Sequence, residues 1–205
     1  TLAAGTLIVG NDNALGTGPL TITGGTLISD ASRTISNTLF FLSGAGLTFS
    51  NGSGVTLTID SPGVLSAGLS TTITNLSVDG AAGVVIQDDL LLSSISTNIT
   101  VLTFTGSSPI TLNGDITMSG SRVVVVANAG GLSLNNIALS IPGAPAGSLS
   151  LSGTTSLTVN GVISDGVTSG GSVIYGNAVT LNNANTYSGS SKISNGTVAM
   201  NNLGA

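Results

Sequence analysis

Short runs that alternate apolar and hydroxyl-bearing residues recur along the whole chain. Leu20-Thr21-Ile22-Thr23, Val55-Thr56-Leu57-Thr58-Ile59, Ile110-Thr111-Leu112-Asn113, Leu149-Ser150-Leu151, Leu157-Thr158-Val159 and Val179-Thr180-Leu181 all follow this pattern. Side chains alternate across a strand, so each run predicts a β-strand with Leu, Ile or Val on one face and Thr or Ser on the other. Gly24-Gly25, Asn51-Gly52, Asn113-Gly114, Asn160-Gly161 and Asn195-Gly196 follow or separate the runs. Gly and Asn tolerate positive φ and suit tight corners.

Two all-β arrangements fit such a pattern, a hairpin-built sandwich or barrel and a parallel solenoid. The runs are only three to five residues long, and the corners come closer together than the 8–12 residues typical of a sandwich. Aromatic residues make up 3% of the chain, which is low for a sandwich core but enough for a narrow core of stacked aliphatics. The expected fold is therefore a parallel β-solenoid. A coil of about twenty residues gives on the order of ten coils, and at about 4.8 Å per coil a rod roughly 45–50 Å long.

Composition narrows the function. The 205 residues include three cations, eight Asp, and no Glu, His, Cys or Trp. Glu, absent here, and Lys, present once, are strong helix formers, which argues against a helical protein. Without His or Cys there is no His–Cys zinc site, no disulfide framework and no Ser-His-Asp or Cys-His catalysis. Arg33, Arg122 and Lys192 are too few and too scattered to neutralise a nucleic-acid backbone. The longest apolar runs, such as Val123 to Ala127, fall far short of a bilayer span. Few charges together with many Gly, Ser, Thr and Asn fit an extracellular bacterial protein.

One internal repeat is visible. Gly5-Thr6-Leu7-Ile8-Val9 through Asn13-Ala14-Leu15-Gly16 is echoed by Gly196-Thr197-Val198-Ala199-Met200 through Asn202-Leu203-Gly204. The first copy continues into Pro19-Leu20-Thr21-Ile22, whereas the second is preceded by Asn185-Thr186-Tyr187-Ser188-Gly189-Ser190. The chain reads as starting and stopping inside a repeat. No charged or Pro-rich linker divides it, so residues 1–205 are expected to form one domain, with related elements at 5–28 and 184–205.

Ala184-Asn185-Thr186-Tyr187-Ser188-Gly189-Ser190, followed by Ile193-Ser194-Asn195-Gly196-Thr197-Val198 and Asn202-Leu203-Gly204, resembles the passenger-associated repeat of bacterial autotransporters. Asn13 to Ile22 with Gly24-Gly25-Thr26-Leu27 resembles the continuation of that repeat. The resemblance implies a right-handed parallel β-helix that is secreted and displayed at the cell surface. It implies no particular activity, because such passengers include adhesins, proteases and esterases. No membrane-barrel translocator is recognisable in this chain.

Candidate chemistry is sparse, and no catalytic, cofactor-binding or metal-ligating residue is assigned. Asp88-Asp89 is the only adjacent carboxylate pair. It could contribute to a Ca²⁺ site or to acid/base chemistry, but strand neighbours point to opposite faces, and a solvated corner is the expectation. Asn11-Asp12-Asn13 and Asn113-Gly114-Asp115 read as turns. The Thr-x-Thr pairs at Thr21/Thr23, Thr56/Thr58 and Thr72/Thr74 could build an ice-binding face, but they are unevenly spaced, and Thr is common on exposed strands. The sequons at Asn51, Asn75, Asn98 and Asn195 are expected by chance. Phe40, Phe41, Phe49, Phe104, Tyr175 and Tyr187 could form a sugar-stacking platform, although Phe is more often core. Phe40 and Phe41 cannot both face inward in a regular strand, and Tyr187 is expected at a structural corner.

The leading expectation is a non-enzymatic structural protein, a β-solenoid subunit or segment of an extracellular or cell-surface fibre. Its expected partners are copies of itself joined end to end. This expectation rests on the related ends and on the absence of an obvious cap over the open strand edges. An adhesin module binding surface polysaccharide is the second reading, and a polysaccharide-degrading β-helix enzyme the third. Nucleic acid, membrane insertion and cofactors are not expected.

Overall fold

The computed structural model describes residues 1–41, 46–61, 65–67, 74–78, 83–92 and 100–202. These form a β-solenoid of about seven turns built from three parallel sheets, with no helix among the described residues. The first sheet has nine strands: β1 (Thr6–Val9), β3 (Thr26–Ser29), β6 (Gly46–Phe49), β9 (Thr74–Val78), β12 (Thr100–Gly106), β15 (Arg122–Asn128), β18 (Ser148–Gly153), β21 (Ser172–Gly176) and β23 (Ser191–Ile193). The second has eight: β4 (Arg33–Ile35), β7 (Leu57–Ile59), β10 (Val84–Ile86), β13 (Ile110–Leu112), β16 (Leu132–Leu134), β19 (Leu157–Val159), β22 (Val179–Leu181) and β24 (Val198–Met200). The third has seven: β2 (Leu20–Ile22), β5 (Leu39–Phe41), β8 (Leu65–Ala67), β11 (Leu90–Leu92), β14 (Ile116–Met118), β17 (Ile137–Ala138) and β20 (Ile163–Ser164).

Alternation in the sequence becomes alternation of burial. β7, β13, β19 and β22 each bury their first and third residues and turn the middle one outward. Parallel register then stacks like on like. Ile59, Ile86 and Leu112 follow one another in the second sheet, and Leu90, Ile116 and Ile137 in the third. One continuous apolar core runs along the axis. Each buried Leu or Ile contributes about 1.5–3 kcal/mol, and the described interior strands hydrogen-bond to the turns on either side.

There are fewer coils than the ten expected, because the turns are longer than twenty residues. Thr6 pairs with Thr26, but Leu47 pairs with Leu76 and Leu76 with Phe104. In the turn from Arg122 to Leu149, the extra residues lie in the corner between β17 and β18. The nine-stranded sheet contains eight spacings of about 4.8 Å, so the rod is roughly 38 Å long. The two related sequence elements also fall on different sheets, Thr6–Val9 in the first and Val198–Met200 in the second.

Close stacking fixes some corner residues. At Gly114 an added Cβ would lie 2.0 Å from the Asp88 carbonyl oxygen. At Gly153, where φ is +136°, it would lie 2.0 Å from the Val126 carbonyl oxygen. Only glycine fits these contacts.

Candidate functional site

The carboxylate pair at the corner between β10 and β11 divides its work between two neighbouring turns. Asp88 is buried, and its carboxylate accepts hydrogen bonds from the Ser61 N–H at 2.5 Å and the Ser61 hydroxyl at 2.6 Å. Asp89 is exposed and accepts from the Asp115 N–H at 2.8 Å. The two carboxylates therefore bind opposite turns. The solvated corner expected from the sequence describes Asp89 but not Asp88. Burial pushes the Asp88 carboxyl above its ordinary range, the Ser61 hydrogen bonds pull it down, and the charges of Asp60 and Asp89 push it up again. No group of three or more acidic side chains that could hold a metal ion occurs among the described residues.

The other polar motifs act between turns or within a corner. The Asp12 carboxylate receives the Thr34 N–H at 3.4 Å, and Asn11 caps the Asn13 N–H at 2.8 Å. Asp115 accepts from the side-chain amides of Asn135 and Asn136 at 3.0 and 2.9 Å. In the Asn-Thr-Tyr-Ser-Gly motif, Asn185 Oδ1 receives the Ile163 N–H at 2.8 Å, while the Thr186 N–H donates to the Ile163 carbonyl at 2.9 Å. The hydroxyls of Tyr187 and Tyr175 lie 3.0 Å apart. The Ser188 N–H donates to both oxygens of Asp165 at 3.1 Å, and the Gly189 N–H reaches the Gly171 carbonyl at 2.9 Å. Ser188 holds the half-buried Asp165 carboxyl below its ordinary range. Tyr187 is the structural corner residue expected from the sequence, packed against the core edge.

The aromatic residues do not assemble into a platform. Phe49, Phe104 and Tyr175 are core, whereas Phe40 is 44% exposed on the outer face of the third sheet. The Phe41 side chain lies outside the described residues. Among the sequons, Asn51 is buried, with its Oδ1 receiving the Ser29 N–H at 3.1 Å and its Nδ2 left without a partner. Asn195 is exposed at a corner. Asn98, Thr72 and the side chains of Asn75 and Thr74 lie outside the described residues.

Sequence reasoning missed Arg122. Its side chain is 2% exposed and occupies a core position directly in register with Leu149. Its Nε donates to the Leu92 carbonyl at 3.0 Å and its Nη1 to the Ser121 carbonyl at 2.7 Å. Desolvation lowers its pKa from the ordinary value. The one ion pair among the described residues is Arg33 with Asp30, at 2.9 Å on the surface. Nothing in the local sequence distinguishes Arg122 from a strand-edge cation.

Two surface features stand out. At one end of the rod, Tyr175, Leu181, Tyr187, Ile193, Val198 and Met200 line a hollow of about 390 Å³. On the outside of the second sheet, middle residues stack in register as Thr34, Thr58, Val85, Thr111, Ser133, Thr158, Thr180 and Ala199. The residue after each strand forms a neighbouring polar row that ends in an amide ladder. Asn201 Nδ2 donates to Asn182 Oδ1 at 2.7 Å, and Asn182 Nδ2 donates to Asn160 Oδ1 at 2.8 Å. The sequence pairs were unevenly spaced, yet the hydroxyl row is continuous over several turns, because unequal corners absorb the difference. No family model, no curated protein and no solved structure matches this chain.

Proposed function

We propose that the chain is a non-enzymatic structural rod, a β-solenoid segment of an extracellular or cell-surface fibre whose copies stack end to end. The observation that carries this reading is the stacking itself: the described strands pair in parallel, turn upon turn, around one apolar core that runs along the axis. The edge strands of a parallel stack offer unpaired N–H and C=O groups that template further strands.

The polar groups support the same reading. Six of the eight Asp residues, Asp12, Asp30, Asp88, Asp89, Asp115 and Asp165, are engaged in hydrogen bonds or an ion pair within the fold. That use suits cohesion between turns better than acid/base chemistry. The autotransporter-like motif and the low charge support display at the cell surface.

Negative-stain electron microscopy and analytical ultracentrifugation of the purified chain test the proposal. Strings one rod wide, lengthening with concentration, are expected. Isolated rods alone at high concentration would remove end-to-end stacking.

A further inference from the structure

The outer face of the second sheet offers a ligand a regular pattern. Thr34, Thr58, Thr111, Ser133, Thr158 and Thr180 stand in one row along the rod axis, with Val85 between Thr58 and Thr111. Among the described residues none of their six side-chain hydroxyls has a hydrogen-bond partner in the protein. The carboxamide row runs beside them. Hydroxyl and carboxamide groups each donate and accept, so the face is matched to a neutral polyol rather than to an ion. Its central row and the rows two residues to either side carry one charged side chain, Asp60, between Thr34 and Ala199. On the other flank, Gly83, Pro109, Gly131 and Ala178 keep the surface low.

The spacing limits the ligand further. From Thr111 to Thr180 successive turns present one hydroxyl and one polar side chain about every 4.8 Å. An extended β-linked sugar chain advances by close to that distance per residue, so consecutive sugars can meet consecutive turns. An ice lattice would need a second unbroken rank of Thr, and that rank is interrupted at Gly83, Pro109, Gly131 and Ala178. A polyanion would meet Asp60 and a net charge of −5 without a cation on this face. We infer that the outer face of the second sheet binds an extended, uncharged polysaccharide laid parallel to the rod axis. The inference does not depend on fibre assembly, because a single rod carries the whole face.

The test uses the full chain, neutral β-glucan oligosaccharides of three to eight sugars, soluble neutral β-glucan, and polygalacturonate as the anionic comparison. Affinity electrophoresis should show retardation by the neutral polymer and none by polygalacturonate. In calorimetry, Kd should fall at least tenfold from trimer to octamer. The double variant Thr111→Lys with Thr158→Lys should bind at least tenfold more weakly, and Thr111→Ser with Thr158→Ser should keep binding. Thr117→Lys, on the outer face of the third sheet, should leave binding unchanged, with circular dichroism confirming that each variant folds. No retention by the neutral polymer, equal affinity for trimer and octamer, equal binding of polygalacturonate, or full binding by the double Lys variant would each overturn the inference. So would pairing of rods through this face, or thermal hysteresis in place of glycan binding. Electron microscopy of the same samples reads fibre assembly separately, so either proposal can fail while the other stands.

Discussion

Asp88 and Ser61 are joined by two hydrogen bonds across adjacent turns, one from the Ser61 backbone N–H and one from its hydroxyl. The carboxyl is nonetheless pushed above its ordinary range, because burial outweighs those bonds. A raised carboxyl pKa means that the folded state favours the protonated form. That contribution to stability is complete below the unfolded value near 3.8 and fades as pH rises through the folded value. In Asp88→Asn this component disappears. The stability of the native chain relative to Asp88→Asn should therefore decline as pH is raised from about 3 towards neutrality. Urea unfolding of both proteins across that range checks the sign, and parallel curves would refute it.

Arg122 puts a cation in the aliphatic core opposite Leu149. Replacing a buried charged group with a well-packed apolar one is often neutral or stabilising by about 1–4 kcal/mol. Its main acceptor, the Leu92 carbonyl, also receives the Ser119 N–H at 3.2 Å and would stay satisfied. Arg122→Met should match or exceed the native Tm, whereas Arg122→Ala, which leaves a void, should lose about 2–4 kcal/mol. Thermal unfolding of the two variants separates the effects of charge and volume.

Gly114 is held against the Asp88 carbonyl. A methyl group 2.0 Å from that oxygen must force the turns apart, so Gly114→Ala should cost about 3 kcal/mol or more. Gly52→Ala meets nothing within 4 Å and should change stability by less than about 0.5 kcal/mol. Chemical denaturation of the pair measures the difference.

Phe104 fills the core, while its relative Phe40 stands on the surface. Phe104→Ala should cost about 3–5 kcal/mol, and Phe40→Ala less than about 1 kcal/mol. Comparable losses at both positions would mean that Phe40 is also packed in the folded rod.

The strands were legible because period-2 patterning is local. Leu157-Thr158-Val159 states its own inward and outward faces wherever it lies along the rod. Stacking partners were less legible, because pairing Leu47 with Leu76 depends on the length of the intervening corners. The same dependence hid the Thr row, whose members are unevenly spaced in the chain and aligned in space. It also kept Asp88 and Asp89 from being told apart, since their roles are set by Ser61 and Asp115 on different turns. Arg122 was missed because alternation cannot announce a cation in an inward position.

Unequal corners joining strands that stay in register have an evolutionary consequence. Residues can be gained or lost between Leu47 and Leu76, or between Val173 and Ser191, while the pitch of the ladder and the alignment of every later turn are preserved. Length variation in such a lineage should therefore accumulate at the corners between the three sheets. There it could create new loops without disturbing the outer hydroxyl row or the aliphatic interior.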